Sequence, residues 1–375
     1  MKMNKLFKCS VIICGLFTIA LNGCRNGGDT KTIVTVKGDK WFLNDRIINE
    51  GALAEGLLMN VRMINSVFED RGDKLPAEFS DFNPESNTNS FVSKIPDYMA
   101  SGVNGFTIGL QGGMPGYEGA INSAFEADGT LRPEYMQRVE RIIKAVDENS
   151  GVVILSCFYQ RQHSHYAALN NREDIKNAVK NTIKWIKKNR FRNVVLEISN
   201  EYRHGGYRNW KEGRWLMSTS GQVEMISYAK SLDPSLLIST SGMGDGRLND
   251  SLSAAVDFVT IHFNTTSLED YSARINELKK TGKPLICNED DKTGKAGGGA
   301  LLLSVVKGCG WGYMNNAQNQ YMPFRFEGVN DDTVVYNMFR KVITPGSQID
   351  VDSYLEENEL LESKKVKIVV QDGEI

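Results

Sequence analysis

Eight short runs of strand-forming residues, most of them followed by a stretch with helical periodicity, limit this chain more than any other feature. The runs are Leu57 to Phe68, Gly105 to Leu110, Val152 to Tyr159, Val194 to Ser199, Leu236 to Ser241, Val256 to Phe263, Pro284 to Asn288 and Gly310 to Met314. Short apolar runs bounded by turn residues are the signature of buried strands, and apolar positions three and four apart that of helices covering them. Helical spacing is read at Asn89 to Met99, Pro133 to Asn149, Arg172 to Asn189, Gly221 to Ser231, Leu268 to Thr281, Gly298 to Lys307 and Thr333 to Val342. In the second of these, Met136, Val139, Ile142, Ile143 and Val146 share one face. Strands that alternate with helices form parallel sheets, and eight such units predict an α/β protein: a (β/α)8 TIM barrel over residues 50–343. An open doubly wound sheet is the alternative, weakened by the absence of a GxGxxG loop after the first strand.

The segments outside the barrel carry other signals. Lys2, Lys5 and Lys8 precede an apolar stretch from Val11 to Leu21 that is short for a membrane span, the pattern of an export signal. It ends in Leu21-Asn22-Gly23-Cys24, which resembles the lipobox of bacterial lipoproteins. The resemblance implies a signal peptide over 1–23, lipidation of Cys24, and a location in the cell envelope, at the outer membrane or cell surface, anchored by lipid. Residues 24–32 then read as a tether. Residues 33–49 read as a β-hairpin, with turns at Gly38-Asp39 and Asn44-Asp45. In the tail, 344–375, Val366 to Val370 has edge-strand character and would pair with that hairpin. Of six cysteines, Cys157, Cys287 and Cys309 lie beyond the leader, beside strand-like residues, and read as small buried hydrophobes. Neither CxxC nor HExxH occurs, so no metal site is expected. A net charge of −2 without basic clusters argues against nucleic acid as a partner.

In a (β/α)8 barrel the chemistry sits where the strands end. Arg62 lies in the first strand, which runs out at Glu69-Asp70. The third ends in Tyr159-Gln160-Arg161-Gln162, the fourth in Asn200-Glu201, the sixth in His262-Phe263-Asn264 and the seventh in Asn288-Glu289-Asp290-Asp291. The eighth carries Trp311. Any one of these reads as an ordinary loop residue; their convergence on one rim is the signal. Strands four and seven face each other, so Glu201 and Glu289 can meet across the mouth. Two facing carboxyls suit glycoside hydrolysis, in which one protonates the leaving oxygen and the other attacks or stabilises the anomeric carbon. The proton donor needs a raised pKa, the nucleophile a depressed one, which Arg62 or Arg161 would supply. Asp290 and Asp291 read as solvated loop charges or as groups that bind a cation or sugar hydroxyls. Tyr202, Tyr207, Trp210 and Trp215 either stack on sugar or pack their own loop.

An Asn-Glu closing the fourth strand and a Glu closing the seventh resemble the clan A glycoside hydrolases, the retaining superfamily of barrels that includes family 5 cellulases. The resemblance covers residues 50–343. It implies Glu201 as acid/base, Glu289 as nucleophile, and no cofactor. It further implies Asn200 on the hydroxyl beside the reacting carbon, His262 near the nucleophile, and Trp311 as an aromatic floor. Arg62 and Tyr159 join these as candidate substrate contacts. The sequence departs from family 5 at His262-Phe263-Asn264, where His-x-Tyr is common: Asn264 would replace a Tyr that hydrogen-bonds the nucleophile. The expected substrate is an oligo- or polysaccharide. The competing readings are an inactive carbohydrate-binding barrel and a different barrel enzyme, a lyase or metal-dependent hydrolase.

Overall fold

The computed structural model describes residues 30–360 except 73–74, 113–119 and 163–168. Cys24, the signal peptide, Val366 to Val370, His163 and His165 lie outside the described residues. Three short strands, β1 (Val34–Lys37), β2 (Lys40–Leu43) and β3 (Arg46–Ile47), form an antiparallel appendage. The barrel strands follow: β4 (Asn60–Arg62), β5 (Gly105–Gly109), β6 (Val152–Phe158), β7 (Val194–Ser199), β8 (Ile238–Ser239), β9 (Val259–His262), β10 (Leu285–Glu289) and β11 (Gly312–Tyr313). Continuous pairing gives one sheet in the order β11-β4-β5-β6-β7-β8 and a parallel pair of β9 with β10. Single bridges join the two pieces into a ring: Ser241 to Thr260 links β8 to β9, and Ile286 to Gly310 and Asp290 to Tyr313 link β10 to β11. All eight strands run parallel, so their C-terminal ends share one rim.

Helices wrap the ring: α1 (Pro84–Ala100), α2 (Pro133–Glu148), α3 (Arg172–Asn189), α4 (Gly213–Leu216), α5 (Thr219–Leu232), α6 (Asp250–Ala255), α7 (Leu268–Lys279), α8 (Gly294–Val306), α9 (Thr333–Ile343) and, in the tail, α10 (Val351–Glu357). Of the boundaries that differ from the sequence expectation, three have a clear cause. The first strand is short, because the chain turns into a 3₁₀ helix at Ile64–Val67. Side chains of α1 hold that turn: Thr88 Oγ1 donates to the Ser66 carbonyl (2.8 Å) and Asn87 Nδ2 to the Asn65 carbonyl (2.9 Å). Helix α1 starts early because Asn83 caps it, accepting from the Ser86 amide (2.9 Å), with Pro84 at its first position. Helix α8 starts within a glycine-rich stretch that propensity argues against. Packing explains the glycines: a Cβ on Gly298 would stand 2.4 Å from the Tyr354 hydroxyl, and one on Gly299 2.5 Å from Leu360. The described part of the tail thus lies on α8.

The lower end of the barrel is closed by the appendage. Trp41 of β2 is fully buried, edge-on to Phe258 (centroids 5.0 Å apart), among Leu58, Val152, Ile154, Val195 and Ile286 from the barrel interior. The entering chain is fastened to the same end. Asp147, near the C-terminus of α2, accepts from the amides of Lys31 (2.9 Å) and Thr32 (2.7 Å), and Thr30 Oγ1 donates to the Arg190 carbonyl just past α3 (3.3 Å). Above this apolar plug the interior turns polar. Thr107 donates to Asn60 (3.3 Å), Thr260 to Ser239 (2.9 Å), and Asn288 reaches Glu197 (3.5 Å).

Candidate active site

Strand β7 ends at Ser199, and the next two residues turn inward over the rim. Glu201 has a left-handed backbone (φ 46°), a conformation that costs a residue with a Cβ roughly 1–2 kcal/mol. Neighbouring contacts hold it. The Asn200 amide donates to the Phe158 carbonyl (2.9 Å), the Glu201 amide to Ser241 Oγ (2.9 Å) and the Tyr202 amide to the Ser241 carbonyl (3.1 Å). Behind them the loop is packed by its own aromatics: Tyr207 donates to the Phe158 carbonyl (2.9 Å) and Trp210 Nε1 to the Gln160 carbonyl (3.2 Å). Tyr202, Tyr207, Trp210 and Trp215 are all buried, which settles their role as packing.

Glu289 closes β10 at an irregularity in the pairing with β9, where the register skips from Cys287 to Glu289. A bulge of this kind re-aims a side chain, and here Glu289 enters the mouth. Its Oε2 takes the Nε of Arg62 at 2.9 Å, and its Oε1 takes Asn264 Nδ2 at 2.8 Å. Arg62 also donates from Nη2 to Asn200 Oδ1 (2.8 Å), and Asn200 Nδ2 donates to Gln160 Oε1 (3.2 Å). Gln160 in turn donates to Glu201 Oε2 (3.3 Å). His262 lies between the two acids, its Nδ1 3.4 Å from Glu201 and 3.6 Å from Glu289. An oxygen of Glu201, an oxygen of Glu289 and a nitrogen of His262 all lie within 4.8 Å of one another.

The electrostatics follow from these contacts. Burial works against ionisation of Glu289, but the charges of Arg62 and His262 and the Asn264 hydrogen bond outweigh it and hold its pKa below the ordinary range. Burial likewise works against protonation of His262, and the negative charges of Glu289 and Glu201 outweigh it, raising that pKa. Two carboxylates and an imidazole at this spacing are also a donor set for a metal ion. Both oxygens of Glu289, however, already accept from N–H groups, those of Arg62 and Asn264.

The site opens into a cleft of about 560 Å³. Arg62, Tyr159, Asn200, Glu201, Asn264 and Glu289, all anticipated from the sequence, line it, and His262 lies buried beneath the two acids. Trp311 does not join them, and its expected role as a floor is corrected. It is fully buried, stacked on Tyr313, with its indole N–H donating to Asp290 (2.8 Å). Asp290 is no solvated loop charge either: it is fully buried, accepting from Tyr271 and Trp311 and paired with Lys292 (3.1 Å). Glu69 is locked between Arg132 and Arg138, and Asp70 accepts from the amides of Gly72 and Ile121 (both 2.8 Å), so both hold loops. Arg161 lies exposed at the cleft edge; the partner of Glu289 is Arg62. Sequence reasoning gave no role to Gln160, which links both halves of the Asn-Glu pair, and did not reach Gln320 of the cleft wall, which sits in a π-helical turn (Asn316–Gln320) past β11.

Comparison with known proteins supports the fold. No protein-family model matches the chain, and no curated protein matches it. Among solved structures, it is similar to a Bacteroides vulgatus protein assigned as a glycoside hydrolase (14% identity, TM-score 0.58, covering 84% of this chain and 61% of that one). It is similar to an endo-1,4-β-mannanase from Rhizomucor miehei (11% identity, TM-score 0.54, 86% of this chain and 99% of that one). It is similar, too, to a GH5-4 broad-specificity endoglucanase from Clostridium longisporum (11% identity, TM-score 0.53, 79% and 99%). At these identities the likeness is one of architecture, and the chain has the (β/α)8 barrel fold on which those proteins are built.

Proposed function

We propose that this protein hydrolyses O-glycosidic bonds with net retention of anomeric configuration, with Glu201 as acid/base and Glu289 as nucleophile. The observation that carries the reading is the approach of the two carboxylates to within 4.8 Å. Inverting enzymes keep their carboxyls roughly 6.5–9.5 Å apart to admit a water between acid and base, whereas retaining enzymes hold them about 5–5.5 Å apart. In the first step Glu289 attacks the anomeric carbon while Glu201 gives its proton to the departing oxygen. In the second, Glu201 takes a proton from water, which attacks the same carbon and releases Glu289. Arg62 and Asn264 keep the nucleophile ionised and aimed. Asn200, held by Arg62 and Gln160 at the cleft wall, binds the hydroxyl beside the reacting carbon. The likeness in fold to proteins described as an endoglucanase and a mannanase agrees with an oligo- or polysaccharide substrate. An inactive carbohydrate-binding barrel would have no use for a nucleophile held between Arg62 and Asn264.

The test is a panel of polysaccharides and aryl glycosides, with the anomer of the first-formed product followed by NMR. Retention is expected; inversion would overturn the assignment. We also propose that the chain is exported and lipid-anchored at Cys24 in the cell envelope, on the strength of the basic, apolar and Leu-Asn-Gly-Cys sequence at its start. Metabolic labelling with an alkynyl fatty acid should mark the wild type and spare Cys24→Ser. Equal labelling of the two would refute the anchor.

A further inference from the structure

An unbroken chain of hydrogen bonds runs from one carboxylate of the site to the other. Arg62 Nε stands 2.9 Å from Glu289 Oε2, and Arg62 Nη2 donates to Asn200 Oδ1 (2.8 Å). Asn200 Nδ2 donates to Gln160 Oε1 (3.2 Å), and Gln160 Nε2 donates to Glu201 Oε2 (3.3 Å). The direction of this chain is dictated from one end. A guanidinium has donors only, so Asn200 turns its oxygen to Arg62 and its NH2 group to Gln160. Gln160 then offers its oxygen to Asn200, which leaves its N–H groups for Glu201. Turning either amide over would set donor against donor, a mismatch that the low dielectric of a buried site makes costly. Gln160 is itself held for this place. It follows β6 and is 3% exposed. The loop after β7 pins it from behind: Trp210 Nε1 donates to its carbonyl (3.2 Å), and a Cβ on Gly206 would stand 3.2 Å from its Cγ. The other oxygen of Glu201, Oε1, faces His262 Nδ1 at 3.4 Å. Among the described residues, Gln160 and His262 are the side chains that reach the Glu201 carboxyl by hydrogen bond. Arg62 and Glu289 are engaged with each other, and Tyr159, Arg161, His204, Asp245 and Asp291 are the other titratable or charged groups of the cleft.

Resting on the glycosidase reading, we propose that Gln160 is the positioning residue of the acid/base: through it the Arg62 cation that grips Glu289 also fixes the N–H offered to Glu201, and so where that carboxyl points. Gln160 touches no reacting atom. It holds Glu201 Oε2 while His262 holds Oε1, which leaves the carboxyl little freedom to swing away from the departing oxygen. A small misplacement of a catalytic group is enough to cost a large part of its effect. The amide N–H also favours the ionised form of Glu201 over the protonated one. Loss of that donor therefore raises the pH at which Glu201 gives up its proton, and the basic limb of the pH–rate profile moves up with it.

The experiment takes a glycoside that the wild type cleaves and compares kcat/KM for its dinitrophenyl form, whose leaving group departs without a proton, with that for its phenyl form. The proteins are wild type, Gln160→Ala and the nearly isosteric Gln160→Glu. Gln160→Ala should lose about 30-fold or more on the phenyl glycoside and less than about threefold on the dinitrophenyl one, because only the first needs an aimed proton. Gln160→Glu sets a second carboxyl against Glu201, so that the two share a proton, and the basic limb should rise by about one pH unit or more. Equal losses of Gln160→Ala on the two leaving groups would mark a merely structural role and overturn the proposal, as would an unmoved basic limb in Gln160→Glu. A wild type that cleaves nothing on the panel refutes the glycosidase reading instead. The link to Glu201 is then read without turnover, from the NMR titration of its carboxyl carbon, assigned by its absence in Glu201→Gln. A midpoint raised by about one unit or more in Gln160→Glu supports the proposal, and an equal midpoint in the two proteins sinks it.

Discussion

Arg62 Nε stands 2.9 Å from Glu289 Oε2, and both side chains are at most a tenth exposed. One buried cation thus fixes the acid that the mechanism needs ionised, and its Nη2 fixes Asn200 on the far side of the barrel as well. Replacing Arg62 by Met removes the first electrostatic cause that lowers the Glu289 pKa. We predict a fall in kcat/KM of about 10²-fold or more and a shift of the acid limb of the pH–rate profile to higher pH. An unmoved acid limb would separate Arg62 from the ionisation of Glu289.

The two carboxylates should fail in different ways. Glu289→Gln blocks formation of the glycosyl intermediate and should abolish turnover on every substrate. Glu201→Gln should lose roughly 10³-fold on natural sugars but far less on aryl glycosides whose leaving groups need no proton. Azide should restore turnover to a Glu201→Ala protein by replacing water as attacking group. Equal losses on both substrate classes would contradict the acid role.

Stability should depend on pH through the same pair. The folded pKa of Glu289 is lowered from 4.5, so its contribution is present above that value and is lost as pH falls through the folded pKa. The folded pKa of His262 is raised from 6.5, so its contribution is complete below that value and is lost as pH rises through the folded pKa. Tm should therefore peak in mildly acidic solution. In His262→Gln the decline on the alkaline side should flatten; an unchanged Tm–pH curve would count against it.

Trp41 plugs the lower end of the barrel, remote from the cleft. Trp41→Ala should cost about 3–5 kcal/mol in urea unfolding, with KM unchanged in the fraction that remains folded. A loss below 1 kcal/mol would show that the appendage only rests against the barrel.

Both oxygens of Glu289 are engaged by N–H groups, and Nδ1 of His262 faces two acids. Prolonged dialysis against EDTA should leave kcat/KM within twofold of its starting value. A loss restored by one added divalent cation would favour the metal-dependent alternative.

The strand–helix alternation was legible in the sequence because the barrel strands are buried on both faces and so read as short, mostly apolar, β-favouring runs between helical stretches. The Asn200-Glu201 and Glu289 positions were legible because a parallel barrel sends every strand end to the same rim. Trp311 was not, since the direction of a side chain at a strand two residues long depends on which of its neighbours, here Asp290, offers its indole an acceptor. Helix α6 went unseen because its six residues are too few to show a period. Gln320 lies seven residues beyond β11, where only the folded loop brings it under Arg62.

The fastening of residues 30–32 to Asp147 and Arg190 also sets a direction. Residues 30–32 lie at the plugged floor, on the side away from Glu201 and Glu289. Were the proposed anchor at Cys24 to hold the chain from that end, it would hold the barrel by its floor, opposite the mouth where Glu201 and Glu289 meet.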